Sequence, residues 1–249
     1  MPKGSLEVSS VTPVKDISKC EPKPLKGISL LIAYIQGTGL NSYKSINDYL
    51  RKKLILNESA KKKMKNDIIQ IRQLMKRHEG ALLVYRGMQI PDVAINKWKR
   101  DCEELRKNHT FTFIDKGFVS TSKSHVSAYN FMKSNDSVMM IILINGIELI
   151  DFEQKNIYIY TRHKDEREVL LRDGITFSFV GVVTKADCDK GAAMTLKAER
   201  YTAVKIFEEF TKKSSSRDII DVAKDFLGVR FDMILKNGTN YILFAKAGP

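Results

Sequence analysis

Cysteine is scarce: Cys20, Cys102 and Cys188 are the three in 249 residues. They are odd in number, widely spaced and free of any Cys-x-x-Cys pair, which argues against a disulfide framework or a cysteine zinc cluster and fits a reducing compartment. Long apolar runs are missing too. The longest, Val138 to Ile144, has the length of a strand, so no membrane-spanning helix is expected. Pro2-Lys3-Gly4-Ser5 leads into a polar segment with no apolar signal core; a secretory leader is not expected, and the chain reads as cytoplasmic, in a producing or a host cell. No repeat of 20–50 residues is visible. Acidic residues are in deficit, 29 Asp+Glu against 42 Lys+Arg, a formal charge of +13. What remains is ordinary: 43% hydrophobic and 29% charged residues exclude wholesale disorder. The length suits one large domain, or a domain with an added lobe, burying about 70–75% of the unfolded chain's surface.

The excess charge is concentrated. Residues 1–80 hold 16 basic and 7 acidic residues, a net of +9, and residues 81–249 hold 26 and 22, a net of +4. The densest run is Lys61-Lys62-Lys63-Met64-Lys65. It suits a surface for nucleic acid or an acidic partner, and equally a solvated helix face. No aromatic residues interleave with it, so a base-stacking platform is not supported.

Four of the six prolines fall in residues 1–26, which read as an irregular tail. A basic helical lobe is expected over 27–80. Ile46, Leu50 and Leu54 recur at four-residue spacing after Ser45, a cap candidate, and Met64, Ile68, Ile71 and Met75 repeat the pattern in a helix ending near Gly80. From Ala81 the period changes. Ala81–Arg86 reads as a buried strand that stops at Gly87, and Pro91-Asp92 opens a helix with Ile95, Trp98, Cys102 and Leu105 on one face, all core positions. Further strands are expected at 112–113, 118–121, 137–144, 146–152, 167–171 and 175–184, with a helix over 123–133. A body over 81–195 is followed by 196–249. There 193–212 and 216–227 read as helices, and Phe231–Leu235 and Tyr241–Ala245 as a hairpin about Asn237-Gly238. The fold class is α+β.

Three polar elements stand out against the strands. Arg86 ends an apolar strand, where a half-buried guanidinium is costly unless a fixed anion meets it, and Gly87 permits close approach of a ligand; an Arg at a strand end also commonly faces solvent. In Phe118-Val119-Ser120-Thr121-Ser122, alternation points Ser120 and Ser122 to one face and Thr121 to the other. The hydroxyls could bond a carboxylate or a sugar, or simply cap the next helix. In Glu166-Arg167-Glu168, two carboxylates at i and i+2 on a strand share a face about 7 Å apart. Such a pair could stabilise an oxocarbenium-like centre and deprotonate a nucleophile, or could be a charged loop end among Lys164, Arg167 and Arg172.

In chain order, Tyr85-Arg86-Gly87, Gly117 to Ser122, and Glu166 to Leu171 continuing through Arg172-Asp173-Gly174-Ile175-Thr176-Phe177 resemble the arginine–serine–glutamate class of mono-ADP-ribosyltransferases, which includes bacterial toxins. The resemblance implies two perpendicular sheets forming a cleft with N-terminal helices packed against them; the absence of a Gly-x-Gly-x-x-Gly motif agrees. It implies NAD as the substrate donor and no metal. Arg86 would grip phosphates and ribose, Gly87 would offer backbone groups to nicotinamide, and Ser120 would position Glu168 while Thr121 and Ser122 stiffen the strand. Glu168 would be the catalytic glutamate, and Glu166 would act on the acceptor, an arginine of a target protein. Residues 154–165 would recognise that target, with Tyr158 and Tyr160 in contact, although Ile157–Tyr160 also reads as an ordinary strand. His163 has no second ligand at a metal spacing.

The family's toxin-like members carry an aromatic residue soon after the serine motif that stacks on nicotinamide. Here Tyr129 and Phe131 fall in the expected helix, where core packing is the reading. Hydrolysis of NAD and modification of nucleic acid are alternatives within the same chemistry, and a catalytically inactive basic binding module is one outside it. The basic lobe points to an acidic or nucleic-acid-associated target.

Overall fold

A computed structural model describes residues 27–37, 39–108, 111–132, 136–155, 166–184 and 241–248. The tail 1–26, the target-loop residues 156–165 with Tyr158, Tyr160 and His163, and the expected helices and strand at 193–212, 216–227 and 231–235 lie outside the described residues. Among the described residues, no helix is long and apolar enough to cross a membrane.

The first part is helical: α1 (Ile28–Gln36), α2 (Tyr43–Leu50) and α3 (Glu58–Leu74). α1 was invisible to periodicity because its sequence is apolar almost all round. α2 begins before Ser45, since the Ser42 hydroxyl accepts the Ser45 N–H at 3.2 Å and caps the helix there. Leu54 consequently lies beyond it. Asn57 caps α3 by accepting from Ala60 N at 2.9 Å, and α3 stops at an extended Met75, short of Gly80. In α3, Met64, Asp67, Ile68 and Ile71 face inward while Lys62, Lys63 and Lys65 face solvent.

The remaining elements are β1 (Lys76–Arg77), β2 (Ala81–Gln89), α4 (Asp92–Asn108), β3 (Phe111–Asp115), β4 (Val119–Ser122), α5 (His125–Tyr129), β5 (Ser137–Asn145), β6 (Glu148–Asp151), β7 (Glu168–Leu171), β8 (Ile175–Thr184) and β9 (Tyr241–Gly248). The strands run in the order β1-β6-β7-β4-β2-β5-β9-β8-β3. This order has two halves. β1, β6, β7 and β4 join β2, β5, β9, β8 and β3 through the single pair Tyr85↔Ser122, whereas β2 and β5 pair along nine positions. The described strands thus form one nine-stranded sheet, and its two halves, linked at one point, stand where the resemblance implies two sheets.

Packing follows the alternation of side chains. Val119, Val169 and Leu171 of the smaller half pack with Val84, Val138, Met140, Phe177 and Leu243 of the larger half. Cys102 and Leu105 of α4 are buried in this core, with Ile95 and Trp98 against it, as their spacing predicts. On the opposite face, Phe118, Ile150 and Leu170 join Leu31, Tyr34, Ile46, Met64 and Ile71 of the helices. Full burial of each such side chain stabilises by about 1.5–3 kcal/mol, so the helices are an integral cover for the small half-sheet.

Two expectations fail for physical reasons. β2 does not stop at Gly87 but runs to Gln89, because Gly87 pairs with Met139 and Gln89 with Ser137 of β5. β9 is a central strand, flanked by parallel β5 and antiparallel β8, so both of its edges are taken and the hairpin expected about Asn237-Gly238 forms no part of its pairing along 241–248. Its run Tyr241–Ala245 is buried throughout, the pattern of a strand covered on both faces.

Candidate active site

The junction between the half-sheets brings the separated motifs together. Arg86 follows Tyr85 at the junction, and its Nη1 donates to the Ser120 carbonyl at 3.0 Å while its Nε lies 3.3 Å from Met88 Sδ. Among the described residues no carboxylate pairs with it. Burial lowers its pKa from the ordinary value, partly opposed by Asp115 and reinforced by Arg51. A desolvated guanidinium without a counter-ion, facing a cleft, is a ready acceptor for an anionic ligand.

β4 pairs with β7 from Val119↔Leu171 to Ser122↔Glu168. Ser120 is the exposed member of β4, and its hydroxyl donates to Glu168 Oε1 at 2.6 Å. Thr121 donates across to the Val169 carbonyl at 2.7 Å. Ser122 donates to the Glu166 carbonyl and accepts the Ser124 N–H at 2.9 Å. Each hydroxyl therefore fixes a different part of the glutamate segment, and all three residues line the cleft.

Glu168 is half-buried at the start of β7. Its carboxyl is pushed up to about 7, chiefly by burial and further by the charge of Glu166, against the lowering effect of the Ser120 hydrogen bond. Glu166 is not on the strand, contrary to the expectation of two carboxylates on one strand face. Arg167 between them takes φ 46, in the left-handed region, which costs a non-glycine residue on the order of 1 kcal/mol. The kink is tied down on both sides: Lys123 N donates to the Arg167 carbonyl at 3.1 Å, and Arg167 Nε donates to Glu153 Oε1 at 2.7 Å. Both glutamates still line the same cleft.

That cleft has a volume of about 590 Å³. Its floor includes Arg86, Gly87, Ser120 and Glu168, and the helices supply a wall that the sequence did not reveal: Tyr34, Tyr43, Lys44, Asn47 and Arg51. Asn47 Nδ2 donates to the Tyr34 hydroxyl at 3.1 Å, and Asn47 Oδ1 accepts the Phe118 N–H at 2.8 Å. Arg51 makes a bidentate pair with Asp115, both bonds 2.9 Å, and Asp115 Oδ1 also accepts the Gly117 N–H at 2.9 Å. A Cβ at Gly117 would meet Asn47 Oδ1 at 2.8 Å, so glycine is what lets α2 sit against the turn leading into β4. Arg72 of α3 pairs in the same bidentate way with Asp173, beyond the end of β7. The Asp115-Lys116-Gly117 turn was the available signal; its partners are remote in sequence.

α5 ends at Tyr129, so Phe131 lies past the helix expected over 123–133. It is 52% exposed and lines the cleft, which corrects the core reading; Tyr129 is half-buried. The close approach at Gly87 also has a structural cause. A Cβ there would stand 1.8 Å from the Ala128 carbonyl oxygen, so the missing side chain makes room for α5.

An NAD-sized anionic ligand fits this chemistry, with Arg86 a cation that has no carboxylate partner among the described residues and Phe131 an exposed ring in the same cleft. A family model described as ADP-ribosyltransferase exoenzyme matches residues 34–209, most of the chain, and the protein belongs to that family. Among solved structures, the chain is similar in fold to Plx2a, an ADP-ribosyltransferase toxin from Paenibacillus larvae, at 12% identity and TM-score 0.55, covering 90% of this chain and 86% of that one. It is also similar to the ADP-ribosylating toxin BECa of a binary enterotoxin of C. perfringens, solved with NADH, at 16% identity and TM-score 0.52. That match covers 89% of this chain but only 43% of the toxin component. No curated protein sequence matches the chain.

Proposed function

We propose that the protein cleaves NAD at the nicotinamide–ribose bond and transfers ADP-ribose to an arginine of a target protein. The observation that supports this best is the Glu168 carboxyl held by Ser120 at 2.6 Å, in one cleft with the unpaired Arg86 and with Glu166. Arg86 binds the donor's phosphates and ribose, with Lys44 adding positive charge to the wall. Gly87 offers backbone groups to the nicotinamide amide, and Phe131 supplies the ring against which nicotinamide stacks. Ionised Glu168 holds the ribose 2′-hydroxyl and stabilises positive charge at the anomeric carbon as the C–N bond breaks, its electron pair leaving with neutral nicotinamide. The acceptor guanidine nitrogen then bonds to that carbon and passes its proton to Glu166.

The acceptor assignment rests on glutamate at position 166. Tyr158 and Tyr160 are proposed to touch the target, and the exposed lysines of α3 favour one that is acidic or nucleic-acid-associated. Incubation with labelled NAD and a cell lysate, followed by mass spectrometry of the labelled protein, is expected to place ADP-ribose on arginine. Glu166→Gln is expected to lower that labelling more than tenfold while nicotinamide release from NAD alone persists. Label on another residue type with Glu166 intact refutes the arginine assignment, and free ADP-ribose without labelled protein marks the enzyme as a hydrolase.

The elevated Glu168 pKa gives two pH dependences of opposite sense. Catalysis needs the carboxylate, so nicotinamide release rises with pH and levels off above about 7. Stability moves the other way: a carboxyl whose folded pKa is raised favours the native state while protonated, and that contribution is lost as pH climbs from about 4.5 through about 7. Melting curves of the ligand-free protein should show this decline, and Glu168→Gln should flatten it. A pH profile of turnover already level at pH 5 contradicts the assignment.

A further inference from the structure

Resting on the reading of Glu166 as the acceptor-side base, we propose that Glu153 is a positioning residue: through Arg167 it fixes the kink that sets Glu166 relative to Glu168, and so favours transfer to a guanidine over hydrolysis. Glu153 follows β6 and shares its carboxylate between two cations. Oε1 accepts from Arg167 Nε at 2.7 Å and Oε2 from Lys123 Nζ at 2.9 Å. Lys123, itself only 18% exposed, also pairs with buried Asp151 at 2.6 Å. Asp151 Oδ1 in turn accepts the Glu153 N–H at 3.1 Å. The cluster thereby joins three segments: the end of the serine motif, the turn after β6, and the residue between the two glutamates. None of its four side chains lines the cleft, so they act through the backbone they hold.

The two glutamates depend on this cluster unequally. Glu168 is fixed without it, by pairing with Ser122, by the Ser120 hydroxyl and by the Phe152 N–H donated to its carbonyl at 3.1 Å. Glu166 has its carbonyl held by the Ser122 hydroxyl, but it lies on the far side of a left-handed residue that an ordinary side chain disfavours, so the direction of its side chain follows the backbone at Arg167. Releasing the Arg167–Glu153 bond lets the backbone relax toward φ below zero and swings Glu166 while Glu168 stays. Water can reach an oxocarbenium-like centre from many directions; a guanidine must be oriented and deprotonated, and is the more sensitive to a misplaced base.

Nicotinamide release without acceptor, and ADP-ribose transfer to a small guanidine, separate the two roles in the full chain. Glu153→Gln is expected to lower guanidine transfer about tenfold and to leave nicotinamide release within about twofold. Arg167→Gly, which adopts the left-handed conformation without steric cost, is expected to retain transfer within about threefold, and adding Glu153→Gln to it should cost nothing further. Arg167→Val, branched at Cβ, is expected to lose transfer at least as severely as Glu153→Gln. Equal loss of both activities in Glu153→Gln, no loss of either, or equal loss in the glycine and valine variants overturns the inference. If Glu153→Gln does not fold, the comparison of glycine with valine at Arg167 decides alone. Wild-type protein that releases nicotinamide but modifies no guanidine overturns the arginine reading and this inference with it; wild-type transfer with a ratio unmoved by Glu153→Gln overturns this inference only.

Discussion

Glu168→Gln is expected to slow nicotinamide release from NAD by about 100–1000-fold, the loss typical when a preorganised electrostatic group at a developing charge is removed. The substitution is nearly isosteric, and the Ser120 hydroxyl that now donates to Glu168 Oε1 at 2.6 Å can donate to the amide oxygen instead. The strand pairing of β7 is untouched. What disappears is the negative charge, which lies where the anomeric carbon becomes positive in the proposed reaction. The variant should also melt at the same or a higher temperature than the wild type above pH 7, because a carboxyl that burial pushes up to about 7 is an unfavourable group when ionised. Loss of activity without loss of stability separates a catalytic carboxylate from a structural one. A variant keeping a tenth of the wild-type rate would show that the charge is not required.

Gly87→Ala should be the most damaging glycine-to-alanine change among the described glycines. The added Cβ would stand 1.8 Å from the Ala128 carbonyl oxygen and 2.8 Å from its carbon, both backbone atoms that no rotamer change can move. Either α5 lifts off β2 or β2 shifts against β5, to which Gly87 is paired opposite Met139. Such overpacking costs about 1–3 kcal/mol, which for a chain of this size lowers the melting temperature by roughly 2–12 °C. Activity should fall at least tenfold, since lifting α5 carries Phe131 away from the cleft. Gly174→Ala is the matched control: nothing lies within 4 Å of its Cβ, and the cost is confined to its backbone at φ 74. Thermal melts and nicotinamide-release rates of the two variants measure the difference, and equal effects would show that the contact at Ala128 is not what glycine serves.

The parts of the site legible in the sequence are those written locally. Arg86 and Ser120 interrupt apolar strands and Glu168 opens one, and β4, β5, β7 and β8 announce themselves by alternation or by continuous apolar runs. Features set by remote partners left no such trace. Arg51 meets Asp115, 64 positions away, and Arg72 meets Asp173, 101 positions away, so neither arginine differs in sequence from any other basic residue on a helix. The left-handed Arg167 is equally silent, because Glu-Arg-Glu before three apolar residues reads as a strand that has already begun. Gly87 misled in the opposite direction: glycine after an apolar run signals a turn, but here the strand continues and the glycine admits a helix. Phe131 was assigned to the core because helical spacing continues past Tyr129, although the helix itself does not.

The central place of β9 has a consequence for how the chain acquires its shape. Val138 waits for Tyr241 and Ile144 for Ala247, so the parallel pairing with β5 joins segments far apart in the chain, the kind of contact that slows folding most. A nascent chain that has emerged as far as Leu171 already contains Arg86, Ser120 and both glutamates, yet β5 still lacks one neighbour. Until β9 arrives, β5 and later β8 present open apolar edges, which invite pairing between chains. The motifs that define the chemistry are therefore synthesised early and supported late, by a strand that carries none of them.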